Sequence, residues 1–191
     1  MKKLFLTTLA LCCVAFVSCG KKGAESQAES KSEMQTKVEE FATVRLSANL
    51  DKLSAKEKEL VGVFLDIAQI MDDLYWLQAY GDKADMDTIS DKFTKEFAMI
   101  NYGPWERLND MKPFVNGFGK KPLGANFYPK DMTKEEFDAL KDKNKSSLYT
   151  VLRRDESGKL VVKWYREEYK EQIDKVCELL DKAIGLAEDA G

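Results

Sequence analysis

The chain has 191 residues, 30 Lys plus Arg against 33 Asp plus Glu, 44% hydrophobic residues and no histidine. That length fits one ordinary domain, which buries a core without disulfide or metal staples. Lacking imidazole, the chain by itself assembles neither a Ser-His-Asp nor a Cys-His site, nor an HExxH zinc site, and its acidic balance argues against a nucleic-acid partner.

Met1-Lys2-Lys3 is a short positive segment, and residues 4–17 form an apolar run. That run is too short to cross about 30 Å of hydrocarbon, which takes about 20 helical residues. It therefore reads as an export signal. The run closes on Phe16-Val17-Ser18-Cys19-Gly20, which resembles the lipobox of bacterial lipoproteins, where a small residue precedes the Cys lipidated after cleavage. Phe16 stands where Leu is usual, and Ser18 suits its place; a soluble export signal that happens to contain cysteines is the alternative. The reading divides the chain into a signal peptide at 1–18, a lipidated tether at 19–33 and a lobe at 34–191. It makes Cys19 the lipidation site, a membrane the partner through that anchor, and the protein exported, facing periplasm or cell surface. Between Gly20 and Glu33 no apolar residue is larger than Ala, as expected of a solvated tether.

In the body, Met34, Val38, Phe41 and Ala42 fall at helical spacing and predict a short helix to about residue 50. Ser54-Ala55-Lys56-Glu57 is a capping box. It opens a helix whose Leu60, Val61, Phe64, Leu65, Met71, Leu74 and Tyr75, widened by Val63, Ile67, Ile70 and Leu77, predict burial nearly all round. Gly81 is its stop, and a third helix is expected over 84–100. Between 101 and 130 the periodicity breaks. All four prolines fall there, interleaved with Tyr102, Trp105, Phe114, Phe118, Phe127 and Tyr128. So aromatic a stretch predicts an ordered loop packed across the helices.

Thr133-Lys134-Glu135-Glu136 is a second capping box, opening a short helix with Phe137 and Leu140. Residues 148–152 and 160–164 flank Asp155-Glu156-Ser157-Gly158 and predict a β-hairpin. A last helix from about residue 167 carries Tyr169, Ile173, Val176, Cys177, Leu180, Ile184 and Ala187 in one stripe. Cys177 is expected there as a small buried hydrophobe, since no neighbouring base would form its thiolate. With Cys12, Cys13 and Cys19 all near the N-terminus, no intrachain disulfide framework is expected in the body. The fold class is mainly α with one β-hairpin, an α+β helical lobe carrying a long ordered Pro/Gly/aromatic loop.

Gly117-Phe118-Gly119-Lys120-Lys121 fails as a phosphate loop: the Walker pattern needs Gly at Phe114 and Ser or Thr at Lys121. Adjacent acids at Asp72-Asp73, Glu135-Glu136 and Glu167-Glu168 point about 100° apart on a helix and do not converge as a dyad. Asp72 and Asp73 interrupt the most apolar helix, so a carboxylate buried there needs Arg107 or a Lys as partner.

Three strings in the loop and one that follows it carry a resemblance: Asn101-Tyr102-Gly103-Pro104-Trp105-Glu106-Arg107-Leu108, Lys112-Pro113-Phe114-Val115, Lys121-Pro122-Leu123-Gly124-Ala125-Asn126-Phe127-Tyr128-Pro129, and then Asp131-Met132-Thr133-Lys134-Glu135-Glu136-Phe137. With the helix start at Leu53-Ser54-Ala55-Lys56-Glu57-Lys58-Glu59-Leu60 and the strand at Ser147-Leu148-Tyr149-Thr150-Val151-Leu152-Arg153-Arg154, they resemble, over roughly Phe41 to Ala187, the N-terminal half of bacterial dipeptidyl-peptidase III-like zinc metallopeptidases. The resemblance implies a two-lobed peptidase that releases N-terminal dipeptides, its zinc held by a HExxGH-type helix and a downstream Glu. No catalytic or metal residue transfers to this histidine-free sequence, and no cofactor is expected in the chain itself. Zinc is expected in a lobe lying in a continuation or a separate chain. The lobe read here, whether truncated or standing alone, would form one wall of a peptide-binding cleft, with Asn101, Tyr102, Trp105, Arg107, Asn126, Phe127 and Tyr128 facing peptide or bracing the loop. The alternative is a non-catalytic, lipid-anchored binding lipoprotein.

Overall fold

The computed structural model describes residues 31–189. The export signal and Cys19 lie outside the described residues. Among the described residues six α-helices carry the structure: α1 (Glu33–Glu39), α2 (Ala55–Ala79), α3 (Lys92–Asn101), α4 (Lys134–Ala139), α5 (Tyr165–Glu168) and α6 (Lys170–Leu186). Two antiparallel hairpins join them, a minimal one of β1 (Trp105–Glu106) with β2 (Lys112–Pro113), and β3 (Thr150–Arg154) with β4 (Leu160–Trp164). The α+β class holds, with a second small hairpin inside the aromatic loop.

Capping chemistry fixes the helix starts. Ser54 Oγ accepts from the Glu57 N–H and Glu57 reaches back to the Ser54 N–H; Thr133 and Glu136 repeat the arrangement at α4. Asp91 caps α3 by accepting from the Thr94 N–H at 2.7 Å. That cap is why the helix expected over 84–100 is divided: a 3₁₀ turn, Lys83–Thr88, ends at an extended Ile89, and α3 starts afresh. The first helix also stops early, at Glu39, and 43–50 run without regular structure. Phe41 nevertheless reaches Phe97 edge-on at 6.0 Å, so its apolar contact is made from beyond the helix end. The expected C-terminal helix begins in α5 and is interrupted at Tyr169, whose φ of −111° and ψ of 35° are not helical.

Helix α2 is the axis of the domain. From one side Leu74 joins Val151 and Tyr169, with Leu77, Phe127, Tyr165 and Ile173 packed against them. From the other, Trp76 joins Met86 and Ala98, with Tyr80, Tyr102 and Phe114 around them. Helix α6 runs antiparallel to α2: Lys182 pairs with Glu59 at 2.9 Å and Ser54 Oγ donates to Glu188 at 2.5 Å, while Tyr169 meets Leu74 near the opposite ends.

Burial of α2 nearly all round is not what the structure has. Only Val63, Leu74, Trp76 and Ala79 are buried along it, while Phe64, Leu65, Met71 and Tyr75 are exposed. Its apolar residues outnumber the elements that pack on it among the described residues. Cys177 corrects another expectation: it is exposed. The buried face of α6 runs through Ile173, Val176, Leu179, Ala183 and Leu186, leaving Cys177, Leu180 and Ile184 turned outward. Leu148 and Tyr149 likewise precede β3 and are exposed. No helix among the described residues is long and apolar enough to cross a membrane.

Candidate functional site

Helix α3 ends at Tyr102, a non-glycine residue in the left-handed conformation at φ 52°, ψ 47°. Gly103 follows at φ 136°. The turn carries the Tyr102 ring back to α2, edge-on to Tyr75 at 4.7 Å and tilted against Trp76 at 5.1 Å. Its hydroxyl donates to Asp72 Oδ1 at 2.6 Å. That hydrogen bond, then burial, raises the Tyr102 pKa. The Arg107 guanidinium lies 5.2 Å from both the Tyr75 and Tyr102 ring centres. Its Nε donates to the Asn101 carbonyl at 2.8 Å and its Nη1 to the Tyr75 hydroxyl at 2.5 Å.

Asn101 is buried beneath this cluster. Its Nδ2 donates to the Phe97 carbonyl at 2.9 Å, and its Oδ1 accepts from the Arg107 N–H at 2.9 Å, tying α3 to β1. Trp105 is buried next to it, its Nε1 donating to the Gly119 carbonyl at 2.8 Å. Tyr80 and Phe118 flank its ring at 5.9 and 6.2 Å, and Lys121 Nζ lies 5.6 Å from it. Burial, then the nearby Arg107 charge, lowers the Lys121 pKa. Burial also pushes Tyr80 up to about 12, helped by the hydrogen bond to Asp85.

The far end of the loop is held differently. Asn126 Nδ2 donates to the Leu77 carbonyl at 2.6 Å, and Phe127 packs into the core around Leu74. From β3, Arg153 donates to the Asn126 carbonyl at 3.2 Å while pairing with Glu168 at 2.5 Å. Arg154 grips Asp131 at 2.8 Å and Glu136 at 3.1 Å, fastening α4 to the same strand. Tyr128 stacks edge-on with Phe137 at 6.0 Å. Gly124 sits under that ring at φ 73°, where a Cβ would come within 2.2 Å of Tyr128 Cδ2. The result is an open, mainly apolar hollow of about 500 Å³, lined by Pro122, Leu123, Tyr128, Pro129, Met132 and Phe137. A second hollow of about 520 Å³ lies across the same turn, reaching Asp110, Lys120, Lys121 and Phe127. Leu123, 91% exposed, lines both.

The structure thus joins Asn101, Tyr102 and Arg107 in one cluster with Trp105 alongside, and places Asn126 and Phe127 against the α2 core and Tyr128 at the hollow. Sequence reasoning overlooked Tyr75, Leu123, Lys121 and Phe137 as parts of these surfaces. The first three had no separate signal, whereas Phe137 follows directly from the capping box that starts α4. Asp72 and Asp73 are not buried, and their cation is Lys83, at 3.6 and 4.0 Å, rather than Arg107. Among the described residues no group of three or more His, Cys, Asp or Glu could hold a metal ion. With no histidine anywhere in the sequence, these residues do not fit the zinc that the resemblance implies.

No family model matches the sequence. The solved dipeptidyl-peptidase III from Caldithrix abyssi is similar in structure, with a TM-score of 0.72 and 33% identity over 80% of this chain. That from Corallococcus sp. strain EGB is similar at a TM-score of 0.72 and 28% identity over 81%. This chain covers only 31% and 32% of those two. Nudix hydrolase 3 of Arabidopsis thaliana is 28% identical over 54% of this chain and 18% of its own length. The described region is therefore dipeptidyl-peptidase III-like, spanning about a third of the solved chains it matches.

Proposed function

We propose that this dipeptidyl-peptidase III-like lobe forms one wall of a peptide-binding cleft, with the metal-bearing part of the machinery contributed by polypeptide outside these residues, in a continuation or a separate chain. The observation that carries the proposal is the apolar hollow at 122–137, rigidly framed by the strings that give the sequence its resemblance. Ligand clefts combine an apolar wall with a few fixed polar groups, and this one has Tyr128 and Phe137 as wall, with Lys120 and Lys121 across the turn. In this reading Tyr128 and the Arg107–Tyr102 cluster meet peptide, and Asn101, Trp105, Asn126 and Phe127 hold the loop in shape. Cleavage of N-terminal dipeptides, the activity implied by the name of the matched enzymes, would then need the missing metal donors.

Titration with a tetrapeptide, followed by NMR, tests the wall. Shifts at Leu123, Tyr128, Met132 and Phe137, and at Tyr102 and Arg107, are expected, and no shift at millimolar peptide would reject it. The absence of histidine favours a second reading, peptide capture without cleavage by a lipid-anchored protein. Binding of the peptide intact, with no hydrolysis after addition of zinc, distinguishes that case for the chain alone. Lipidation at Cys19 and export are part of the same proposal. Incorporation of labelled fatty acid by the wild type but not by Cys19→Ser is the expected result.

A further inference from the structure

Charge is unevenly spread along this acidic chain. Residues 101–130 carry Arg107, Lys112, Lys120, Lys121 and Lys130 against Glu106 and Asp110 alone, so the aromatic loop is cationic while the rest of the chain is acidic. Glu106 is already engaged by Lys37 and Asn109. None of the five loop cations forms an ion pair with a carboxylate among the described residues.

Lys121 differs from an ordinary surface lysine, whose ammonium extends into water. It is half-buried, its Nζ lies 5.6 Å from the centre of the buried Trp105 ring, and no acceptor bonds to it among the described residues. Arg107, whose charge acts on it, is held by the Asn101 carbonyl and the Tyr75 hydroxyl, both uncharged. An ammonium drawn against an indole beside a second cation has lost hydration and gained repulsion. The ring face offsets part of that, and an anion would offset the rest.

Lys121 lines the open hollow of about 520 Å³, together with Lys120 and the apolar Pro122, Leu123 and Phe127. Asp110 is the one acid on that wall. Lys120 also borders a smaller hollow of about 210 Å³ against Trp105 and Phe118, whose lining includes Lys130.

We propose that the hollow beside Lys121 selects peptides that carry a carboxylate, the carboxylate meeting the Lys121 and Lys120 ammonium groups while a neighbouring apolar side chain lies on Pro122 and Leu123. The inference rests on the reading of this lobe as one wall of a peptide cleft, and adds to it the class of peptide. A single carboxylate fits better than a polyanion, because Asp110 on the same wall repels further negative charge. An acidic side chain and a free C-terminus present the same group.

The test uses the full chain and three tetrapeptides, by calorimetry and by NMR at Lys121, Leu123 and Tyr128. One is a neutral peptide of Ala and Leu closed as its C-terminal amide, the second has one Leu of that amide replaced by Glu, and the third is the neutral peptide with a free C-terminus. At low salt at least one carboxylate peptide is expected to bind about fivefold more tightly than the neutral amide, the upper end for an ion pair that is partly exposed. Which of the two gains identifies the source of the carboxylate. The preference should shrink as salt is raised. Lys121→Gln should bring the ratio close to one. Asp110→Asn should increase it, at an exposed position of φ 50° that Asn tolerates well. The proposal is overturned if neither carboxylate peptide exceeds the amide, or if Lys121→Gln leaves the preference intact; an amide that still shifts Leu123 and Tyr128 then leaves the cleft wall standing. If none of the three binds, both readings fail together. Should Lys121→Gln fold poorly, Asp110→Asn and the salt dependence decide.

Discussion

Asn101 shows how a residue chosen for its chemistry can be occupied by architecture. Both ends of its amide are used inside the protein, one by the Phe97 carbonyl and one by the Arg107 N–H. Asn101→Ala leaves that N–H without its acceptor beside a buried site, a loss of about 1–3 kcal/mol. Urea unfolding should show it, with an unchanged slope. A variant of wild-type stability that no longer binds peptide would reverse the assignment and make Asn101 a contact residue. Cys177 gives a simpler check. Its exposure on the outer face of α6 predicts complete reaction with a maleimide in native buffer, whereas a thiol in the core would react only after denaturation. Periodicity misplaced it because Val176 and Cys177 are neighbours about 100° apart, and an apolar residue at the margin of a stripe reads as part of it. Only the direction of α2 across α6 decides which of the two is covered.

At the scale of elements, capping residues were the most legible part of the sequence. Ser54, Thr133 and the Asp155–Gly158 turn begin or join elements where local chemistry alone requires, because each satisfies backbone groups within four residues. Lengths were less legible. The segment after Glu39 keeps helical spacing up to Ala42 but leaves the helix, and Phe41 meets Phe97 from beyond its end. What holds α1 in place lies far along the chain: Lys37 donates to Glu106 at 2.8 Å and lies over the Phe97 ring at 5.7 Å. The hydrogen bond from Lys37, with a smaller one from Asn109, holds the Glu106 carboxyl below the usual range, and Glu106 raises the Lys37 ammonium in turn. A depressed acid stabilises above its unfolded pKa, about 4.3, and loses that contribution as pH falls through the folded value. The raised amine stabilises fully below its own unfolded value, about 10.4, and loses its share as pH rises through the folded one. Hydrogen exchange in α1 should therefore accelerate toward strong acid before β3–β4 responds. Glu106→Gln should show the same selective loss at neutral pH, and equal protection of α1 in that variant would refute the anchor.

The same reasoning places Gly124 between loop and helix. Its left-handed φ alone would cost a substituted residue on the order of 1–2 kcal/mol, and the new Cβ would in addition displace Tyr128 from Phe137. Gly124→Ala is thus expected to lower the melting temperature and to perturb the Phe137 resonances, while Gly119→Ala, with nothing within 4 Å of its Cβ and an ordinary φ, leaves both nearly unchanged.

Over the whole molecule, the arrangement of the loop strings and their flanking segments was readable because each string does a separate structural task, from the αL turn at Tyr102 to the Arg154 grip on α4. The surface left uncovered was not, since a helix that is apolar on most sides gives no sign of how many neighbours it has. Phe64, Ala68, Met71 and Tyr75 follow one another at spacings of four, three and four along α2, and all are exposed. Scattered apolar side chains are normal on any surface, whereas a continuous stripe is a feature of surfaces that bind something. The solved enzymes that this chain resembles extend over about three times the matched length. By itself the chain is expected to associate weakly through the stripe, with the sedimentation coefficient rising with protein concentration. Phe64→Lys with Met71→Lys adds charge at two positions already in water, where substitutions shift stability by about 0.5 kcal/mol or less. The double variant should melt like the wild type yet sediment as a monomer throughout. Association that survives both lysines would move the sticky surface elsewhere, to the exposed Leu123 and Leu108 of the loop.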